Sequence, residues 1–90
     1  MARPKKKRNL NHEVQCYEFI PLTTVCLENI HIRKDELEAI KLHDFLCINQ
    51  IQASKKMQIS QSTFHRTLLS GRKKIADALI NVKTIKIHRE

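Results

Sequence analysis

The side chains best suited to chemistry in this chain are hydrogen-bonding and basic groups concentrated in one short stretch. They are Ser60, Gln61, Ser62, His65, Arg66, Arg72 and Lys73. Groups of these types read base edges in the major groove of DNA and bind the adjacent phosphates; arginine suits guanine and glutamine suits adenine. We therefore expect the first five to face bases or adjacent phosphates, and Arg72 and Lys73 to meet the DNA backbone. The alternative is an ordinary solvated face of an amphipathic helix.

The periodicity of residues 61–81 predicts the helix that would carry these groups. Its polar face contains Ser62, His65, Arg66, Leu69, Lys73 and Asp77, with Arg72 at the boundary. The opposite face contains Phe64, Thr67, Leu68, Gly71, Ile75, Ala78 and Leu79. We expect this second face to pack into the core.

A shorter helix is predicted just before it, which completes a helix-turn-helix. Asn49 with Gln52 forms an N-terminal capping signal, and the helix should end near Met57. Residues 58–60 then form a three-residue connection, and Ser60 caps the next helix. This spacing is typical of a helix-turn-helix.

The remaining segments predict a mainly α fold with three core helices. Residues 35–45 form the first long helix, whose apolar side chains should be buried on several sides: Leu37, Ala39, Ile40, Leu42 and Phe45. Residues 14–19 and 84–88 read as short strands that can pair at the two ends of the domain. Residues 22–32 are ambiguous between helix and extended chain, but should offer apolar surface from Leu22, Val25, Leu27, Ile30 and Ile32.

A basic segment precedes the predicted domain, which we take as residues 12–90. Residues 2–8 read ARPKKKR and contain Arg3, Lys5, Lys6, Lys7 and Arg8. Because residues 2–8 contain no apolar residue larger than alanine, we expect residues 1–11 to form a flexible arm that follows phosphates or enters the minor groove. A nuclear import signal and a contribution to solubility alone are the alternatives.

Composition favours a polyanionic partner. The 90 residues carry 17 Lys and Arg against 9 Asp and Glu, a net charge of +8, with a pI near 9.8. Binding to phosphates releases condensed counterions, which favours such a pairing. We expect double-stranded DNA as the partner, a cytoplasmic location and no membrane association, because no apolar run approaches the length of a membrane span.

Catalytic and metal-binding patterns are weak. Cys16, Cys26 and Cys47 are widely spaced and form no Cys-x-x-Cys pair, so reduced, partly buried thiols are expected. A sensor remains an alternative if folding gathers Cys16 or Cys26 with His12 or His31. With a single glycine and no nucleophile-base grouping, we expect neither an enzyme nor a cofactor. Asp35, Glu36 and Glu38 lie at a helix start, where acids meet the helix dipole favourably.

Several motifs in order resemble one family. They are ARPKK at the start, DELEAIKLHD at 35–44, the helix-turn-helix, and SGRKKIADALINVK at 70–83. Together they resemble the family called domain of unknown function 134, whose bacterial and archaeal members are predicted to bind DNA through a domain similar to region four of sigma factors. The resemblance covers nearly the whole chain and implies a DNA-binding domain.

The chain departs from that family's pattern at several positions. Gln58 stands where the turn usually has glycine, and Arg33 where the first helix usually has a threonine cap. Gly71 replaces alanine inside the long helix, which should cost about 1 kcal/mol. Ser54 and Thr67 replace an alanine and an aliphatic residue. These changes should weaken stability more than DNA contact.

The sequence thus leaves three functions open. The first is sequence-specific binding of double-stranded DNA by a transcriptional regulator. The second is a protein-interaction adaptor that docks on RNA polymerase or another regulator. The third is non-specific DNA packaging. The oligomeric state does not follow from the sequence.

Overall fold

A computed structural model describes residues 17–22 and 28–87. The elements in chain order are β1 (Glu18–Phe19), β2 (Asn29–Ile32), α1 (Lys34–Ile40), a π-helical turn (Lys41–Phe45), α2 (Gln50–Met57), α3 (Gln61–Asn81) and β3 (Thr84–Ile87). This confirms the mainly α prediction, with three core helices and a small sheet.

The first predicted helix is present, but its last turn is wider than an α-helix. The Leu46 amide donates to the Lys41 carbonyl at 2.9 Å, the i to i+5 pattern of a π-helix. The wider turn changes the angular spacing of the side chains. Ala39 and Leu42 are buried, whereas Phe45 is 78% exposed, so its predicted burial was wrong.

The predicted bounds of α2 and α3 are confirmed by their caps. The Asn49 side chain accepts from the Gln52 amide at 2.8 Å, and Ser60 Oγ accepts from the Thr63 amide at 3.1 Å. Between the helices, Gln58 has φ 61° and ψ 43°, the left-handed conformation that reverses the chain direction. Side-chain caps at both starts and a left-handed residue after α2 explain the abruptness of this turn.

The three helices enclose one small apolar core. It contains Ala39 and Leu42 from the first helical segment, Ala53 from α2, and Phe64 and Leu68 from α3. Since Phe64 and Leu68 are both fully buried, the predicted inward face of α3 is confirmed over its first half.

Gly71 lies where α3 packs closely against α1. A Cβ built at this position would be 2.9 Å from Ile40 Cδ1 and 3.2 Å from the Cβ of Glu36. From the sequence we expected Gly71 only to weaken α3. The structure shows that its missing side chain also lets α1 and α3 pack closely. An alanine would gain helix propensity but would displace Ile40, so the two effects oppose each other.

The sheet joins both ends of the described chain, with strand order β1-β3-β2. β3 pairs antiparallel with β1, Phe19 facing Ile85, and parallel with β2, Ile32 facing Ile87. The predicted pairing of terminal strands is confirmed, and the ambiguous segment 22–32 contributes the strand β2. The expected core residues Val25 and Leu27 lie outside the described residues, as do residues 14–16 of the first predicted strand and residue 88 of the last.

Two other residues expected in the core are exposed. Leu22 is fully accessible and Leu79 is 70% exposed, whereas Ile32 is buried as expected. Leu79 lies beyond the part of α3 that α1 and α2 cover. It borders an open groove with Phe19 and Ile20.

Candidate nucleic-acid interface

Charge is strongly segregated along the chain. Between Asp44 and Asp77 there is no acidic residue, while the same stretch contains Lys55, Lys56, Arg66, Arg72, Lys73 and Lys74. This stretch contains all of α2 and most of α3. The helix-turn-helix therefore presents mainly positive charge, and the one acid within its two helices is Asp77, near the end of α3.

One stripe of α3 collects the predicted contact residues. At about 100° per residue, Ser62, Arg66, Leu69 and Lys73 fall within about 60° of one another. All four are exposed, as are Gln61 and His65 beside them. The buried Phe64 and Leu68 lie on the other side, so packing in the core fixes which way the stripe faces.

The serine and threonine hydroxyls at the start of α3 already bond one another. Ser60 Oγ lies 2.9 Å from Thr63 Oγ1, and Arg66 Nη2 lies 3.4 Å from that same threonine oxygen. The principal role of Ser60 is therefore to cap α3. Ser62 Oγ also lies 3.4 Å from Ser60 Oγ, at the edge of the same hydroxyl cluster.

His65 connects the two helices of the motif. Its Nδ1 lies 3.2 Å from Gln50 Oε1 in the first turn of α2. If Nδ1 carries the proton, Nε2 is left as an acceptor. The contact holds the imidazole at the junction between α2 and the start of α3.

Arg72 is held by a carboxylate of the same chain. Its Nε and Nη2 donate to the two oxygens of Asp44 at 3.0 and 2.5 Å. This paired geometry lowers the pKa of Asp44, chiefly through the hydrogen bonds from Arg72. The backbone contact expected of Arg72 would thus compete with an existing ion pair.

Lys74 is likewise engaged inside the protein. Its Nζ donates to Glu36 Oε1 and to the His31 carbonyl, both at 2.9 Å. The other oxygen of the fully buried Glu36 accepts from Ser70 Oγ at 2.6 Å. Burial alone would raise the pKa of Glu36, but the hydrogen bonds from Ser70, the Arg33 amide and Lys74 outweigh it and lower the pKa. From the sequence we expected only a favourable interaction of Glu36 with the dipole of α1. The hydrogen bonds to Ser70 and Lys74 were not predicted.

Four basic side chains of the acid-free stretch have no such partner. Lys55 and Lys56 in the last turn of α2, and Arg66 and Lys73 on α3, form no ion pair with the described residues. The two lysines of α2 were not among the predicted contacts. The absence of acids over 45–76 is the sequence signal that would have identified them.

The remaining predicted contacts lie outside the described residues. They are Arg3, Lys5, Lys6, Lys7 and Arg8 of the basic arm. Within the described ranges, no three His, Cys, Asp or Glu side chains come close enough to hold a metal ion. None of the helices in those ranges is long and apolar enough to cross a membrane.

The cysteines differ from expectation at one position. Cys47 is a free thiol and is exposed, so the expected partial burial was wrong for this residue. It lies two residues after the π-helical turn and has φ 61°. Cys16 and Cys26 lie outside the described residues.

Similar sequences occur in bacteria and archaea. This chain is 37%, 42% and 39% identical to UPF0251 proteins of Syntrophomonas wolfei, Methanothermobacter thermautotrophicus and Shewanella sp. strain W3-18-1, respectively. These alignments cover 97%, 94% and 97% of this chain, and 68%, 45% and 91% of the respective relatives. The chain thus spans less than half the length of the Methanothermobacter relative.

No solved structure is significantly similar to the chain. The family model described as "Protein of unknown function DUF134" matches residues 1–89. On this match and these identities, the chain belongs to the DUF134 family.

Proposed function

We propose that this chain binds double-stranded DNA sequence-specifically and acts as a transcriptional regulator. The observation that carries the proposal is the exposed stripe on α3, whose Arg66 and Lys73 lie in an acid-free stretch and form no salt bridge with a described carboxylate, although Lys73 lies in the electrostatic field of Asp77. Charged side chains that the fold does not use are the groups a polyanion would neutralise.

In this proposal α3 enters the major groove with its N-terminal half on the bases. Gln61, Ser62, His65 and Arg66 face base edges, because the first turns of a recognition helix are the part nearest the groove floor. Lys73 follows on the same stripe and meets phosphates. Similarity to region four of sigma factors remains part of the proposal, supported by the order of helix, short turn and long helix.

Backbone contacts come from three further groups. Lys55 and Lys56 lie at the end of α2, the helix that crosses the backbone in this motif. The arm adds the basic residues of positions 2–8. Arg72 contributes less than expected from sequence, because Asp44 already holds it.

The first test is selection of bound duplexes from a random library, followed by titration of the selected site at several salt concentrations. We expect salt-sensitive binding and a clear preference over a scrambled duplex. In the triple variant Lys55→Gln, Lys56→Gln, Lys73→Gln, the slope of log affinity against log salt should fall by about 0.9 for each phosphate that is no longer neutralised. The matched variant Lys41→Gln, Lys83→Gln, Lys86→Gln removes the same charge from other elements and should change the slope little.

The outcomes separate the three functions. Salt-sensitive binding without preference over random duplex would favour DNA packaging. Absence of duplex binding, together with binding to purified RNA polymerase, would favour the adaptor. Equal slopes for the two triple variants would show that α2 and α3 are not the contact surface.

One observation favours protein docking as a second candidate function. Leu79, Ile80 and Val82 at the end of α3 are 70%, 78% and 47% exposed. With Phe19 and Ile20, Leu79 and Val82 line an open groove of about 340 Å³. Exposed apolar side chains gathered in this way are typical of interaction surfaces. This groove lies at the opposite end of α3 from the proposed base contacts, so both functions are compatible with one chain.

A further inference from the structure

Leu69 is the one apolar side chain of the α3 stripe between Ser62 and Lys73. It is 46% exposed, and its neighbours on the stripe are Arg66 and Lys73. The core contacts of this part of the helix are made by Phe64 and Leu68, which are fully buried. Leu69 therefore contributes little to the core and leaves apolar surface in water within a basic region.

The position of Leu69 relates it directly to the proposed base contacts. It follows Ser62 by seven residues, nearly two full turns, so the two side chains leave the same side of α3. The rise between them is about 10 Å, which corresponds to about three base pairs of duplex. When Ser62 and Arg66 face base edges, Leu69 faces the edge of a base pair further along the groove.

Among the four natural bases, the apolar group in the major groove is the C5-methyl of thymine. 5-Methylcytosine presents a methyl at the same ring position. We infer that Leu69 contacts a pyrimidine C5-methyl group, and so determines specificity at one base pair; this inference rests on the proposed binding of duplex DNA. Contact with the methyl group removes apolar surface of both partners from water, which is the source of the preference.

The test uses the selected duplex and replaces each thymine, one at a time, by deoxyuridine, which lacks only the methyl group. For the unmodified protein we expect one position at which this replacement weakens binding about fourfold, the effect of burying one methyl group. For Leu69→Ala the same replacement should have almost no effect. A duplex with 5-methylcytosine paired with guanine at that position shows whether a methylated cytosine can serve instead of thymine.

Two variants control for general damage. Leu69→Met keeps an apolar side chain and should retain most of the sensitivity to the methyl group. Leu79→Ala truncates an exposed leucine on the same helix, outside the stripe, and should behave as the unmodified protein. Thermal unfolding of each variant confirms that the fold is kept.

The inference is overturned if every thymine replacement affects the unmodified protein and Leu69→Ala equally, or if the selected site contains no methyl-bearing pyrimidine. Binding that is unaffected by Leu69→Ala would also overturn it, while leaving the proposed DNA binding intact. Failure of the unmodified protein to bind any duplex would instead refute the proposed DNA binding itself.

Discussion

Two arginines of α3 show how environment sets the role of identical side chains. Arg72 donates to both oxygens of Asp44, whereas Arg66 has only a 3.4 Å contact with the Thr63 hydroxyl. The guanidinium of Arg66 is therefore the more available of the two for a bidentate contact with a base. Sequence pattern alone treats both as DNA contacts.

We expect Arg66→Ala to weaken binding to the selected site by about 1–3 kcal/mol, because alanine cannot donate the two hydrogen bonds of a bidentate base contact. Titrations on the selected and the scrambled duplex should show a larger effect on the first. Lys73→Ala is the matched variant and should weaken both equally, as expected for a side chain that meets phosphate. Equal effects of Arg66→Ala on the two duplexes would show that Arg66 also meets only phosphate.

Glu36 is a fully buried acid whose carboxylate bonds to two helices. It joins the start of α1 to Ser70 and Lys74 of α3, and its carboxylate also accepts from the Arg33 amide at 2.9 Å. This last bond is the Glu36 half of a capping box, in which the side chain at the third helical position accepts from the amide of the N-cap residue. A buried carboxylate with several donors rigidifies the helix pair but is costly to leave unmatched.

Glu36→Gln should destabilise the fold by about 3 kcal/mol, because Lys74 loses its buried partner. Urea unfolding at neutral pH measures this change. Glu38→Gln, which removes a half-exposed acid from the same helix, is the control and should cost under about 1 kcal/mol.

The same pair of proteins gives a pH prediction. The pKa of Glu36 is lowered in the folded state, so its contribution to stability is present above the ordinary carboxyl pKa and is lost as pH falls through the folded value. The stability difference between the original chain and Glu36→Gln should therefore be constant near neutrality and shrink in acid. A difference that grows as pH falls would contradict the ionised state of Glu36.

The connection between α2 and α3 depends on a residue that is poorly suited to its backbone. Gln58 adopts φ 61°, which costs a residue with a side chain about 1–2 kcal/mol. We expect Gln58→Gly to stabilise the fold by about 0.5–1 kcal/mol, after allowance for the entropy of glycine. Thermal unfolding should show a midpoint a few degrees higher. Gln52→Gly, inside α2, should instead lower it; a lower midpoint for both would refute the backbone argument.

The ion pair between Asp44 and Arg72 joins the π-helical turn to α3. Asp44→Asn should release Arg72, which raises affinity for non-specific duplex and steepens the salt slope by about 0.9 if Arg72 then neutralises one phosphate. Asp35→Asn changes the net charge equally but removes only one of the two ion pairs of Arg33, which keeps Glu36 as a partner at the start of α1. An effect of the same size in both variants would show that net charge alone is responsible.

For the molecule as a whole, the two segments rich in positive charge and free of acids are residues 45–76, with six of the 17 Lys and Arg residues, and the basic residues 2–8, with five. Deleting residues 2–8 should keep the folded core, because the segment has no apolar anchor, yet reduce affinity for duplex DNA. The salt slope should fall by about 0.9 for each phosphate that the arm no longer neutralises. A second variant keeps all residues of the arm but has glutamine at Arg3, Lys5, Lys6, Lys7 and Arg8. It shows whether the loss of affinity comes from the lost charge or from the lost segment. An unchanged slope in both proteins would mean that the arm does not touch DNA.

Local signals in the sequence were sufficient for the helix-turn-helix. Asn49 and Ser60 cap their helices through contacts within three residues, and the apolar period of 61–81 determines which side of α3 packs inward. The alternation of polar and apolar residues at 84–87 also predicted that this segment is a strand. These features depend on neighbours in the chain, so their residues predict them directly.

Contacts between distant residues were decided only by the tertiary structure. Asp44 lies 28 positions from Arg72, and Glu36 lies 38 from Lys74, so no local pattern shows that these charges are paired. Phe45 and Leu79 match a helical period, yet their exposure depends on the π-helical turn and on where the neighbouring helices end. The sequence alone thus determined which residues form the proposed DNA-contacting stripe. Which of its cations remain available for a partner was decided by folding, because an ion pair depends on distance in space and not on separation along the chain.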